Sequence, residues 1–85
     1  MLETGQVVYS KCGRDKGLAF IITNIDGEYA CLTDGSLRPL AKPKKKKIKH
    51  VQPVSVVYAE IKDKIESKTY LNDAEIRKAL QKHQR

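Results

Sequence analysis

Glycine-bearing turns divide the first 35 residues into segments of strand length, and this punctuation is the strongest constraint on the fold. Gly5 opens Gln6–Ser10, a β-branched and aromatic stretch. Cys12–Gly17 follows as a turn, with glycines bracketing three charged residues, and it is expected to be fully exposed. Leu18–Ile25 reads as a second strand ending at Asp26-Gly27, a dipeptide suited to a two-residue type I′ hairpin. Glu28–Thr33 returns as a third strand closed by Asp34-Gly35, after which Ser36–Arg38 can begin a fourth. Short antiparallel strands at this spacing predict a mainly β fold, a meander rolled into a small barrel.

Pro39, Pro43 and Pro53 punctuate the next stretch, so a helix through Lys42–Lys49 is not expected. Ile48 and Val51, three apart, cannot share one face of a flat strand; a bulge, bend or strand end is expected between them. Further on, Val54, Val57, Tyr58, Ile61 and Ile65 follow helical spacing and predict a first helix. Asn72 with Glu75 forms a capping-box pattern, and Leu71 with Ile76 a hydrophobic staple, so a second helix begins there. The expected organisation is a barrel over residues 1–53, including a basic segment over 38–50, and a helical extension over 54–85 packed on or beside it. Phe20 is expected in the core with Val8, Ile22 and Leu32.

Charge is distributed very unevenly. Arg38, Lys42, Lys44, Lys45, Lys46, Lys47 and Lys49 supply seven of the 17 basic residues within twelve positions, and no acid lies between Asp34 and Glu60. The other 10 basic residues are balanced by 10 acids, so the formal net charge of +7 belongs to this segment. Clustered cations of this kind are the electrostatic footprint of a polyanion binder. Lysine ammoniums act as point charges on phosphates and read little sequence. The Gly13–Gly17 loop, flanked by Lys11, Arg14 and Lys16, is a second candidate, since glycine lets the backbone approach a phosphate. The candidate RNA-binding residues are therefore Lys11, Gly13, Arg14, Lys16, Gly17, Arg38, Lys42, Lys44 through Lys47 and Lys49, whereas His50 reads by itself as a partly buried, hydrogen-bonded side chain beside Val51.

Other chemistries find little support. No paired carboxylates, Ser-His-Asp order or P-loop ending can be assembled, so an enzyme is not expected and no catalytic residue, cofactor or metal is assigned. Cys12 and Cys31 form no CxxC motif and read as free thiols. Met1–Gly5 has neither the basic nor the apolar region of a secretion signal, and Leu18–Ile22 is the longest apolar run. The expectation is a cytoplasmic protein without a membrane partner. Tyr9 or Tyr29 could stack on an unpaired base, although strand tyrosines more often pack.

The stretch from Gly5 to Gly17, GQVVYSKCGRDKG, followed by an apolar strand, resembles the KOW motif of ribosomal proteins and transcription-elongation factors. The basic run leading into Ile48-Lys49-His50-Val51-Gln52-Pro53 is similar to a segment of the archaeal and eukaryotic "fourteen-e" large-subunit ribosomal proteins. Leu71–Leu80, LNDAEIRKAL, is similar to the C-terminal acidic-capped helix of that family. The resemblance implies an SH3-like barrel with one or two C-terminal helices that binds ribosomal RNA. It implies RNA contacts from Lys11, Arg14, Lys16 and Lys42 through His50. Two features depart from the pattern: the chain lacks long basic extensions, as short bacterial single-domain relatives do, and Ser10 stands where KOW strands commonly place an inward apolar residue. A protein-interaction module of the translation or transcription machinery, docking through the barrel and C-terminal helices, is the alternative reading.

Overall fold

The computed structural model describes residues 2–84. Five strands form one antiparallel sheet: β1 (Gln6–Ser10), β2 (Ala19–Asp26), β3 (Tyr29–Thr33), β4 (Lys44–Lys47) and β5 (Val51–Val57), in the order β4-β3-β2-β1-β5. A 3-10 turn, Ile48–His50, joins β4 to β5 and supplies the bend expected between Ile48 and Val51. Helices α1 (Ala59–Glu66) and α2 (Asp73–Leu80) follow. The result is a small barrel-like β domain with two C-terminal helices. Among the described residues no helix is long and apolar enough to cross a membrane.

β1 and the first half of β2, Ala19–Ile22, are buried on both faces. Val8, Phe20, Ile22, Ala30, Leu32 and Val51 fill the concave side of the sheet. Val7, Ala19 and Ile21 point the other way, where Ile61, Ile76 and Leu80 of the helices cover them. Two-sided burial explains why Ala19–Ile22 is an unbroken apolar run rather than an alternating one. The helices are thus half of a second core, and no separate extension begins at residue 54: β5 runs through that position.

Three local expectations are corrected. The segment around Val54–Val57 is strand, not helix: Val54 and Val56 alternate onto the helix-covered face, while Pro53 is tolerated because β5 is an edge strand. Where the β1–β5 register shifts between Gln6 and Val8, the buried Gln6 amide donates to the Val54 carbonyl at 3.0 Å. Ser36–Arg38 does not start a strand, because Asp34 Oδ1 accepts the N–H groups of Ser36 (2.9 Å) and Arg38 (2.8 Å). Finally, the β2–β3 hairpin turns on Gly27-Glu28, with Asp26 paired to Tyr29; positive φ at the first central position alone fits a type II′ turn.

α2 starts as expected. Asn72 Oδ1 accepts from the Glu75 N–H at 2.9 Å, and the Glu75 carboxylate accepts from the Asn72 N–H at 3.1 Å. The same helix pins the 34–43 loop: Arg77 Nη1 donates to the Gly35 carbonyl (2.6 Å), and Asp73 Oδ1 accepts from the Leu40 N–H (2.7 Å). Gly35, at φ +74°, sits so close that a Cβ there would collide with the Asp73 carbonyl oxygen. Gly35→Ala should therefore cost about 2–4 kcal/mol, combining left-handed strain with a backbone collision. Gly27→Ala, at φ +59° with open space around it, should show only the strain, about 1–2 kcal/mol. Urea unfolding of the two variants side by side checks this; equal losses would mean that α2 is not seated on Gly35.

Candidate nucleic-acid interface

Strand pairing decides what the lysine run can do. β4 pairs with β3 through Ala30↔Lys46, Cys31↔Lys45 and Leu32↔Lys44. Ala30 and Leu32 point into the core, so Lys44 and Lys46 face inward with them, while Lys45 and Lys47 face solvent. Four consecutive lysines are thus two pairs with opposite surroundings.

Lys46 is only 8% exposed, and its ammonium needs a counter-charge. Asp15 supplies it from the β1–β2 loop. Lys46 Nζ donates to Asp15 Oδ1, Ser10 Oγ and the Cys12 carbonyl, each at 2.8 Å. Ser10 Oγ in turn lies 2.7 Å from Asp15 Oδ1. Lys44 Nζ is 2.8 Å from Asp15 Oδ2. Burial alone would push the Asp15 carboxyl up. The Lys44 and Lys46 ammoniums and the Ser10 hydroxyl outweigh it and hold the group well below the usual carboxylate range. The expectation that nothing in the Cys12–Gly17 turn is buried is therefore corrected. Gly13 and Gly17, both at φ +87°, bend the loop so that Asp15 turns inward while Arg14 and Lys16 stay outside. Ser10 is an inward polar residue because it hydrogen-bonds within this network.

Lys44 and Lys46 are correspondingly removed from the set of free phosphate-contacting cations. Lys11, Arg14, Lys16, Arg38, Lys42, Lys45, Lys47 and Lys49 are exposed. Five of them gather at two places. On one side, Arg14 and Arg38 border a common cleft between the β1–β2 loop and the 34–43 loop, which the inward-facing Lys44 also lines. On the other, Lys47 and Lys49 share a hollow with Glu28, and Lys45 lies 3.6 Å from Asp26 and 5.1 Å above the Tyr29 ring. Acids temper this second group. His50 is half-buried, and its carbonyl accepts the Lys11 N–H at 2.8 Å, which ties the end of β1 to the 3-10 turn. Cys12 and Cys31 are unpaired and half-buried.

Neither strand tyrosine is an open stacking platform. Tyr9 packs against the helix-covered core and donates to the His83 carbonyl at 2.7 Å, while Tyr29 carries Lys45 over its ring. Sequence reasoning missed Asp15 and Ser10 as partners of the lysine run, and it gave Leu37 and Asp34 no part in the surface. An isolated acid between two glycines, beside a run without acids, was the available signal for Asp15. Comparison with known proteins adds nothing further: no family model matches the chain, and no curated protein matches it.

Proposed function

We propose that this domain binds structured RNA through its phosphate backbone. The observation that carries the reading is the formal +7 of the chain, concentrated in residues 38–49, where Arg38, Lys42, Lys45, Lys47 and Lys49 are exposed. Lysine predominates there, which favours contact with a folded RNA backbone over base-edge reading. Ribosomal RNA in the cytoplasm is the target that the KOW resemblance implies. The alternative, docking of a protein on the C-terminal helices, is less favoured because Ile61, Ile76 and Leu80 cover the sheet instead of facing a partner.

If about six phosphates are contacted, affinity should fall by about three orders of magnitude between 50 and 200 mM salt. Fluorescence anisotropy with transcribed ribosomal RNA measures this, and a flat salt dependence would exclude phosphate-driven binding. Replacing Lys42, Lys47 and Lys49 with glutamine should weaken all RNAs alike, and the salt slope should drop by about one for each phosphate no longer neutralised. Lys46→Gln belongs to a different class, because its first effect is on folding.

A further inference from the structure

The cleft between the β1–β2 loop and the 34–43 loop is built differently from the rest of the basic surface. Its volume is about 310 Å³, and Leu18, Phe20 and Leu37 form its apolar lining. Leu37 is 80% exposed and Leu18 37% exposed, among the charged side chains of Arg14, Asp15, Asp34, Arg38 and Lys44. Contacts with phosphate alone need no such lining; an exposed apolar surface ringed by charge gains only when something apolar or aromatic covers it.

The rim is also distinctive. Arg14 of the β1–β2 loop and Arg38, the one arginine of the basic segment, both stand here. Neither guanidinium has an acidic or hydrogen-bonded partner among the described residues. A guanidinium stacks flat on a base as well as gripping phosphate, which an ammonium does poorly. Both walls are braced before any ligand arrives. Asp15 holds the first loop to β4. In the second, Thr33 Oγ1 donates to the Arg38 carbonyl at 2.6 Å and Arg77 holds Gly35, so little ordering cost remains. Asp34 also borders the cleft, but its Oδ1 is engaged by two N–H groups of its own turn.

We propose that this cleft takes one unpaired nucleotide of the bound RNA, its base against Leu18 and Leu37 above the buried Phe20 and its flanking phosphates on Arg14 and Arg38. The inference rests on the RNA-binding reading above. The volume lies near the lower end for small-ligand sites, which suits one nucleotide rather than a duplex. Bases within an A-form helix stay stacked, so only a bulged or looped nucleotide reaches such a cleft.

The test uses three RNA hairpins of one stem sequence: fully paired, with a single-nucleotide bulge, and with an abasic bulge. Affinities are measured by anisotropy on the full chain at fixed salt. The bulged hairpin should bind about tenfold more tightly than both others, the range expected for one stacked base. Leu37→Ser and Arg38→Gln should each reduce that preference. Equal affinity for paired and bulged hairpins, with salt-sensitive binding intact, overturns the nucleotide cleft and spares the RNA reading. An abasic bulge that binds as tightly as the intact one also overturns it, because flexibility and not the base would then be read. If no hairpin binds even at low salt, both readings fall. In that case an acidic leucine-bearing peptide that shifts the Leu37 methyl resonances would reassign the cleft to a protein ligand.

Discussion

Asp15→Asn should lose about 3–5 kcal/mol of stability, the usual penalty for leaving one member of a buried ion pair alone. A chain of this length has about 4–13 kcal/mol in total, so the variant should be close to unfolding at 37 °C. The effect is asymmetric. Asp15 serves two lysines, whereas Lys46 has this one carboxylate; its other acceptors, Ser10 Oγ and the Cys12 carbonyl, are neutral. Lys46→Met should therefore cost less than Asp15→Asn, since Asp15 keeps Lys44 and Ser10. The double variant should recover much of the single Asp15→Asn loss, as apolar replacements of buried ion pairs often do. A urea-denaturation double-mutant cycle reads all three values. A loss below about 1 kcal/mol for Asp15→Asn would mean that the Lys46 ammonium reaches water and never depended on the loop.

The same ion pair predicts an acid-sensitive fold. The two ammoniums and the Ser10 hydroxyl outweigh burial, so Asp15 stays ionised in the folded protein below its ordinary titration range. Between the depressed value and the unfolded value of about 3.9, the unfolded chain binds a proton that the folded chain does not. Stability from this group is therefore complete above about pH 4 and drains away as the pH falls further. Urea midpoints between pH 2 and 6 should show a steep acid limb in the parent and a shallower one in Asp15→Asn.

What the sequence disclosed follows from how local each signal is. The capping box of α2 lies within four residues and was readable outright. β1 and β2 were readable from β-branched content between glycines, and the unbroken run Ala19–Ile22 matches the burial of both faces. Val54, Val57, Tyr58, Ile61 and Ile65 misled because their helical spacing is accidental: Val54 and Val57 belong to β5, whereas Ile61 and Ile65 belong to α1. The candidate site was readable as charge but not as geometry. Which lysines of β4 turn inward depends on register with Ala30 and Leu32, and Asp15 lies 31 positions from Lys46. Leu37 acquires its place only because Asp34, Thr33 and Arg77 shape the loop that presents it.

Removing residues 58–85 should abolish folding rather than release a free barrel. Without the helices, Val7, Ala19 and Ile21 on the convex side of the sheet face water, and Ile61, Ile76 and Leu80 no longer cover them. Burying three large aliphatic side chains contributes about 1.5–3 kcal/mol each, so their removal alone approaches the whole stability of a small domain. The cut also removes the Tyr58 N–H that donates to the Gly5 carbonyl at 3.0 Å, and Arg77 and Asp73, which hold the 34–43 loop. A proton–nitrogen correlation spectrum of the truncated chain should therefore collapse to unfolded dispersion, with loss of RNA binding as a consequence. Ile76→Ala is the gentler probe, expected to cost about 2–5 kcal/mol while leaving a folded population to measure. If the truncated chain gives a dispersed spectrum, or Ile76→Ala costs under about 1 kcal/mol, the helices are an appendage and the sheet is sufficient alone. In that event the bracing of the nucleotide cleft by α2 would also have to be abandoned, because the loop would keep its shape without Arg77 and Asp73.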